Sequence, residues 1–229
     1  MIGIVGAMDI EVDGIKAEMT DKKVKTIAGL EFVSGKLDGV DIVVSRCNPG
    51  KINAAACTQI MILEYSPRLV INPGVAGGIG KGVKIGDLVV GSACVQYDVD
   101  SSPLGDPVGM VSGLNKIQFE CDTKTAETVK AHAEKIYDGN VFYGIIVTGD
   151  RFVSDGEFCT KLHNNFDASA CEMEGGAIAH VCYMNGVKFA VIRSISDNAN
   201  DDASVDYPTF AKEAADKTIK LMNSVITEL

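Results

Sequence analysis

KINAAACTQIMILEYSPRLVINPGVAGG, residues 51 to 78, is the stretch on which the fold turns. Lys51 to Tyr65 is rich in Ala, Met, Ile and Leu, which favour a helix, and its alanines suit close packing on a sheet. Arg68 to Asn72 then reads as a buried strand ending at Pro73, and three glycines follow between Gly74 and Gly78. Helix, short apolar strand and glycine turn form the unit of a largely parallel sheet with crossover helices.

The same alternation extends both ways. Upstream, Ile2 to Gly6 is a strand and Glu11 to Met19 a helix, while Leu30 to Ser34 and Val40 to Arg46 are strands around an Asp38-Gly39 turn, a hairpin that makes the sheet mixed. Downstream, strands are expected at Asp87 to Gln96, Val141 to Val147 and Val187 to Ile195. Helices are expected at Thr123 to Tyr137, Glu157 to Phe166, Glu174 to Asn185 and Tyr207 to Leu229. The Pro and Gly residues from Ser101 to Gly113 form a loop able to cover a pocket. The expectation is one α/β domain over residues 1 to 229, a three-layer α/β/α arrangement about a central mixed β-sheet.

Composition excludes several classes. Lys+Arg 21 against Asp+Glu 31 gives a net charge of −10, which argues against nucleic acid or an anionic membrane as partner, since either needs a concentrated basic face. Seven cysteines without a CxxC motif fit a reducing, cytoplasmic compartment better than a disulfide framework or a zinc knuckle. Three histidines, His132, His163 and His180, lack metal-ligand spacing, so no metal is expected. MIGIVGAMDIE reaches acids at Asp9 and Glu11 too soon for a secretory leader, and no apolar run spans a bilayer.

In open α/β sheets, ligands bind beyond the carboxyl ends of the strands, and four such places carry polar residues. Gly6-Ala-Met-Asp-Ile-Glu11 presents Glu11 at a helix start, where either capping or chemistry accounts for it. In Asn72-Pro-Gly-Val-Ala-Gly-Gly78 the glycines permit close approach of backbone to ligand or a tight packing turn; neither GxGxxG nor a Walker loop is matched. Ser169-Ala-Cys-Glu172-Met173-Glu174 sets two acids before an apolar helix, either to cap it or to grip vicinal hydroxyls. Ile192-Arg193-Ser-Ile-Ser196-Asp197 ends an apolar strand on an acid that either starts a turn or holds a proton at a raised pKa.

These pieces together resemble the 5′-methylthioadenosine/S-adenosylhomocysteine nucleosidases, a branch of the nucleoside phosphorylase superfamily. The resemblance spans nearly the whole chain: GAMDIEV at 6 to 12, GKINAA at 50 to 55, PGVAGG at 73 to 78, GDLVV at 86 to 90, YDVD at 97 to 100, TGDRFV at 148 to 153, EMEGGAIAHVC at 172 to 182 and RSISDNA at 193 to 199. EMExxAIAHV and R[AS]ISD are its specific parts. It implies that Glu11 activates a water, that Asp197, oriented by Ser196, protonates purine N7, and that Glu174, beside Glu172, holds the ribose hydroxyls. It further implies that Met173 packs on the sugar, that Arg193 orients water and carboxylates, that Phe152 and Val153 hold adenine, and that Met8 and Tyr207 line the thioalkyl end. A homodimer and no cofactor are also implied.

The residue types suit the chemistry. Breaking an N-ribosidic bond leaves cationic character on the sugar and negative charge on the purine, so the site needs an acid at the base, carboxylates at the sugar and an activated water. Phosphorolysis of a purine nucleoside, or nucleoside binding without turnover, are the alternatives. Four departures from the family pattern stand out. Cys47-Asn48-Pro49 replaces Ser-Gly-Ile, putting Pro49 in the pocket and making Arg46 a candidate for an anionic group. Val75 stands where Ser or Thr is usual, Asp98 where His is common, and residues 101 to 115 diverge.

Overall fold

The computed structural model describes residues 1–200 and 202–229. Strands β1 (Ile2–Gly6), β2 (Thr20–Ile27), β3 (Leu30–Leu37), β4 (Val40–Arg46), β5 (Leu69–Gly78), β6 (Leu88–Gln96), β7 (Phe119–Glu120), β8 (Val141–Thr148), β9 (Ala168–Glu172) and β10 (Lys188–Asp197) join one sheet. Helices are α1 (Asp9–Glu18), α2 (Lys51–Tyr65), α3 (Thr123–Ile136), α4 (Gly156–Phe166), α5 (Gly175–Asn185) and α6 (Ala203–Val225). The order β10-β6-β8-β9-β5-β1-β4-β3-β2 mixes parallel and antiparallel pairs, and a further β10–β5 pairing closes five of the strands into a ring.

Helices cover both faces, as expected of three layers. Ala54, Cys57 and Met61 of α2 and Ile178 and Cys182 of α5 pack on one side. Val12 and Ile15 of α1, Val129 of α3 and Leu221 and Met222 of α6 pack on the other. Burying an aliphatic side chain of this size contributes about 1.5–3 kcal/mol, so these two layers hold the sheet rigid beneath the strand ends.

Four sequence expectations change. β5 does not stop at Pro73 but runs to Gly78. Pairing with β1 ends at Ile71 and pairing with β9 begins at Gly77, so no strand on that side asks for an N–H from Pro73. β2 and β9 were not anticipated: β2 is exposed along nearly its whole length and shows no apolar alternation, and β9 is five residues leading directly into a glycine-rich helix start. Helix α6 begins at Ala203, four residues before Tyr207, and carries Pro208 at its sixth position, so the Ser204 carbonyl forgoes its i→i+4 donor. The loop after Ser101 contains a single 3₁₀ turn and one isolated bridge, and none of its residues lines the site described below.

Candidate active site

A cavity of about 230 Å³ opens where β1, β5, β9 and β10 end. Glu11, in the first turn of α1, points into it. Its Oε2 accepts hydrogen bonds from the N–H groups of Ala7 (2.7 Å) and Met8 (3.0 Å), and its Oε1 accepts one from Val75 (3.1 Å). Burial pushes its pKa upward, against the pull of Arg193 and these three donors. The glycine loop explains itself here: a Cβ on Gly74 would lie 2.5 Å from Glu11 Oε1, and one on Gly77 would lie 2.9 Å from Asp197 Oδ1. The glycines make room for two carboxylates, and the loop's amide at Val75 holds the first of them.

Asp197 closes β10. Ser196 Oγ donates to its Oδ2 at 2.9 Å and the Ala199 N–H to its Oδ1 at 2.9 Å, while burial raises its pKa above the usual carboxylate value. Ala199 holds that N–H in place from a left-handed conformation, φ 51°. Glu174, the residue before α5, accepts the Gly50 N–H on Oε1 at 2.8 Å. Burial and the neighbouring negative charge of Glu172 push its pKa up to about 8.

Glu172 is engaged differently. Its Oε2 accepts from the N–H groups of Glu174 (3.0 Å) and Gly175 (2.7 Å) and from Arg193 Nη2 (2.5 Å), and its Oε1 accepts from Thr148 Oγ1. Arg193, almost wholly buried, donates further to the Asn72 carbonyl (2.7 Å) and side-chain oxygen. Asn72 Nδ2 donates in turn to the Val5 carbonyl at 2.7 Å. This chain of charge-assisted bonds ties β8, β9, β10, β5 and β1 together beneath the cavity floor.

Twelve of the thirteen anticipated residues line the cavity: Glu11, Asp197, Glu174, Met8, Val75, Phe152, Val153, Glu172, Met173, Ser196, Tyr207 and Pro49; Arg193 lies behind the wall. Phe152 is half exposed and meets the Tyr207 ring edge-to-face at 5.5 Å. The lining also includes Ala7, Ala76, Gly77, Arg151 and Cys171. Of these only Arg151 carries charge, and its guanidinium sits 4.8 Å from the centre of the Phe158 ring. Nothing in TGDRFV marked that arginine as more than a surface cation. Asn72 and Thr148 were missed too, although each is a polar residue ending an apolar strand run, the signal that could have found them.

The departures resolve as follows. Arg46 is exposed and paired with Asp9 at 2.7 Å, away from the cavity, so it is not free to meet an anionic ligand there. Asn48 adopts φ 69°, a left-handed conformation that asparagine tolerates, and the chain then delivers the Gly50 amide to Glu174 and the Lys51 amide to Asp150 Oδ1 (2.7 Å). Asp98 pairs with Lys51 Nζ at 2.6 Å and accepts the Asp150 N–H at 3.1 Å, bracing that same loop. Among the described residues no group of three or more His, Cys, Asp or Glu side chains is arranged to hold a metal ion, and no helix is long and apolar enough to cross a membrane.

The model of the phosphorylase superfamily matches residues 1–227. A 5′-methylthioadenosine/S-adenosylhomocysteine nucleosidase of Shewanella loihica is 40% identical over 229 residues, covering 100% of this chain and 99% of its own. The enzyme of that name from Neisseria meningitidis, solved with methylthio-immucillin-A, superposes with a TM-score of 0.95 at 33% identity, over 100% of this chain and 99% of its own. A structure described as futalosine hydrolase of Helicobacter pylori gives 0.93 at 34% identity, over 100% and 97%.

Proposed function

This chain belongs to the phosphorylase superfamily and, within it, to the 5′-methylthioadenosine/S-adenosylhomocysteine nucleosidases, and from that premise we propose how its residues divide the work. It is an N-glycosyl hydrolase that releases adenine from 5′-methylthioadenosine and S-adenosylhomocysteine. The observation that best supports the division of labour is that three buried carboxylates, from three different elements, face one cavity with their proton affinities raised.

Asp197, its proton affinity raised by burial and its carboxyl aimed by Ser196 and the Ala199 amide, donates to the departing purine as the glycosidic bond stretches. Val153 and Phe152 seat the base, by backbone and by ring face respectively. Glu11, once ionised, takes a proton from the water that attacks the anomeric carbon, and its raised pKa makes it the stronger base. Glu174 keeps one oxygen for the ribose hydroxyls while the Gly50 amide holds the other, and Met173 packs against the sugar. Arg193, from behind the wall, and Glu172, within it, fix the start of α5 from which Glu174 projects. Both terminal nitrogens of Arg193 are committed to protein oxygens, which leaves Arg151 as the one basic side chain among the described residues that line the cavity and disfavours phosphorolysis.

Residues 1–229 act as one domain, and the active form is a homodimer in the cytoplasm. The exposed apolar Ile52 and Leu63 on α2, with Tyr183 and Met184 on the adjoining α5, support the dimer; the seven free cysteines support a reducing compartment. The test of the hydrolase is incubation with 5′-methylthioadenosine in phosphate-free buffer. Adenine should appear together with free methylthioribose; an absolute requirement for phosphate, or binding without release, would refute it.

A further inference from the structure

Tyr207 carries a hydrogen-bond donor for which the hydrolysis described above has no use. Its ring packs against Phe152, and its Oη donates to Met8 Sδ at 2.9 Å. A thioether is a weak acceptor, so the phenol spends its proton on the poorest partner a polar group can have in a protein. Burial, and then the charges of Glu11, Asp197 and Glu174, raise its pKa, so the hydroxyl remains a donor across the physiological range.

The position of this hydroxyl follows from its neighbours. Asp197 marks the base end of the cavity, and Glu11 and Glu174 flank the sugar. Met8 gives its own N–H to Glu11, and Pro49 directly precedes the amide that holds Glu174. Met8, Pro49 and Tyr207 all line the cavity, and the functional assignment above, on which this placement rests, puts Met8 and Tyr207 at the end that receives the substituent on the 5′ carbon.

We propose that the Tyr207 hydroxyl is a specificity donor that turns from Met8 to an oxygen on the 5′ carbon, extending the substrate range to adenine nucleosides with a 5′ hydroxyl. A 5′ thioether offers it only another sulfur, so the exchange gains nothing. A 5′ oxygen offers a full-strength acceptor, and one neutral hydrogen bond of this kind corresponds to about a tenfold preference.

The test compares kcat/KM for adenosine and for 5′-methylthioadenosine in the wild-type protein, in Tyr207→Phe, which removes only the hydroxyl, and in Met8→Leu, which removes the competing sulfur at similar volume. The adenosine to methylthioadenosine ratio should fall about tenfold in Tyr207→Phe and rise in Met8→Leu. An unchanged or increased ratio in Tyr207→Phe overturns the inference; should that variant fail to fold, a ratio that does not rise in Met8→Leu overturns it. If the wild-type protein cleaves neither nucleoside, the hydrolase assignment fails instead. The same ratio is then taken from calorimetric dissociation constants, where a tenfold fall supports the specificity donor and no change refutes it.

Discussion

Replacing Glu174 by Gln should make the protein more stable and less active at once, with a pH dependence that identifies the cause. A carboxyl whose pKa is higher folded than unfolded binds more protons in the folded state. Its penalty is absent below its ordinary value of 4.5 and grows as pH rises toward about 8, above which it is constant. At pH 7 the penalty is about 3 kcal/mol. Gln keeps an oxygen for the Gly50 N–H but carries no charge to desolvate. Urea unfolding of wild type and Glu174→Gln should therefore coincide near pH 4.5 and separate by about 3 kcal/mol near pH 7, or about 6–12 °C in Tm for a chain of this size. Meanwhile kcat/KM on methylthioadenosine should fall roughly a hundredfold, because Gln, with its oxygen on the Gly50 amide, turns an NH2 donor toward the ribose hydroxyls where Glu174 offers a carboxyl oxygen. A stability difference that does not vary with pH would refute the assignment of a buried, proton-holding Glu174. Unimpaired turnover would refute its role at the sugar.

Other outcomes follow from the same geometry. Arg193→Met leaves Glu172 charged, buried and unpaired, so urea unfolding should show a loss of about 3–5 kcal/mol, partly recovered by adding Glu172→Gln. Gly74→Ala places a methyl group against Glu11 Oε1 without demanding an unusual backbone angle, so turnover should drop by two orders of magnitude or about that, and Tm should fall as the displaced carboxylate gives up amide bonds. Retained turnover in Gly74→Ala would argue against Glu11 as the base that activates water.

How much of this was legible in the sequence depends on the kind of signal each residue leaves. Glu11, Glu174 and Asp197 were legible because each is an acid at the end of an apolar run, where burial is the default and a charge asks for a reason. The supporting bonds were not. Asn72 and Arg193 are 121 positions apart, and only the parallel pairing of β5 with β10 puts them in contact. The two acids of EMEG separated in role for a similar reason. Backbone amides of α5 and the side chains of Thr148 and Arg193 claim both oxygens of Glu172, whereas Glu174 meets one amide from a loop far away in sequence. Pro73 misled as a strand end because its missing donor falls in a gap between neighbouring strands, a matter of sheet order that local sequence does not encode. Conversely, the glycines of PGVAGG were visible, but what they make room for was not: side chains of the protein itself occupy that space.

Proton donation by Asp197 is the step on which the division of labour most depends, and Asp197→Asn measures it directly. The variant keeps acceptor and shape at the end of β10 but has no acidic proton to give. Calorimetric affinity for methylthioadenosine should stay within about tenfold of wild type, while adenine release in phosphate-free buffer should fall by roughly two to four orders of magnitude, the contribution of a general acid. Release at near wild-type rate by a well-folded Asp197→Asn protein would contradict the assignment.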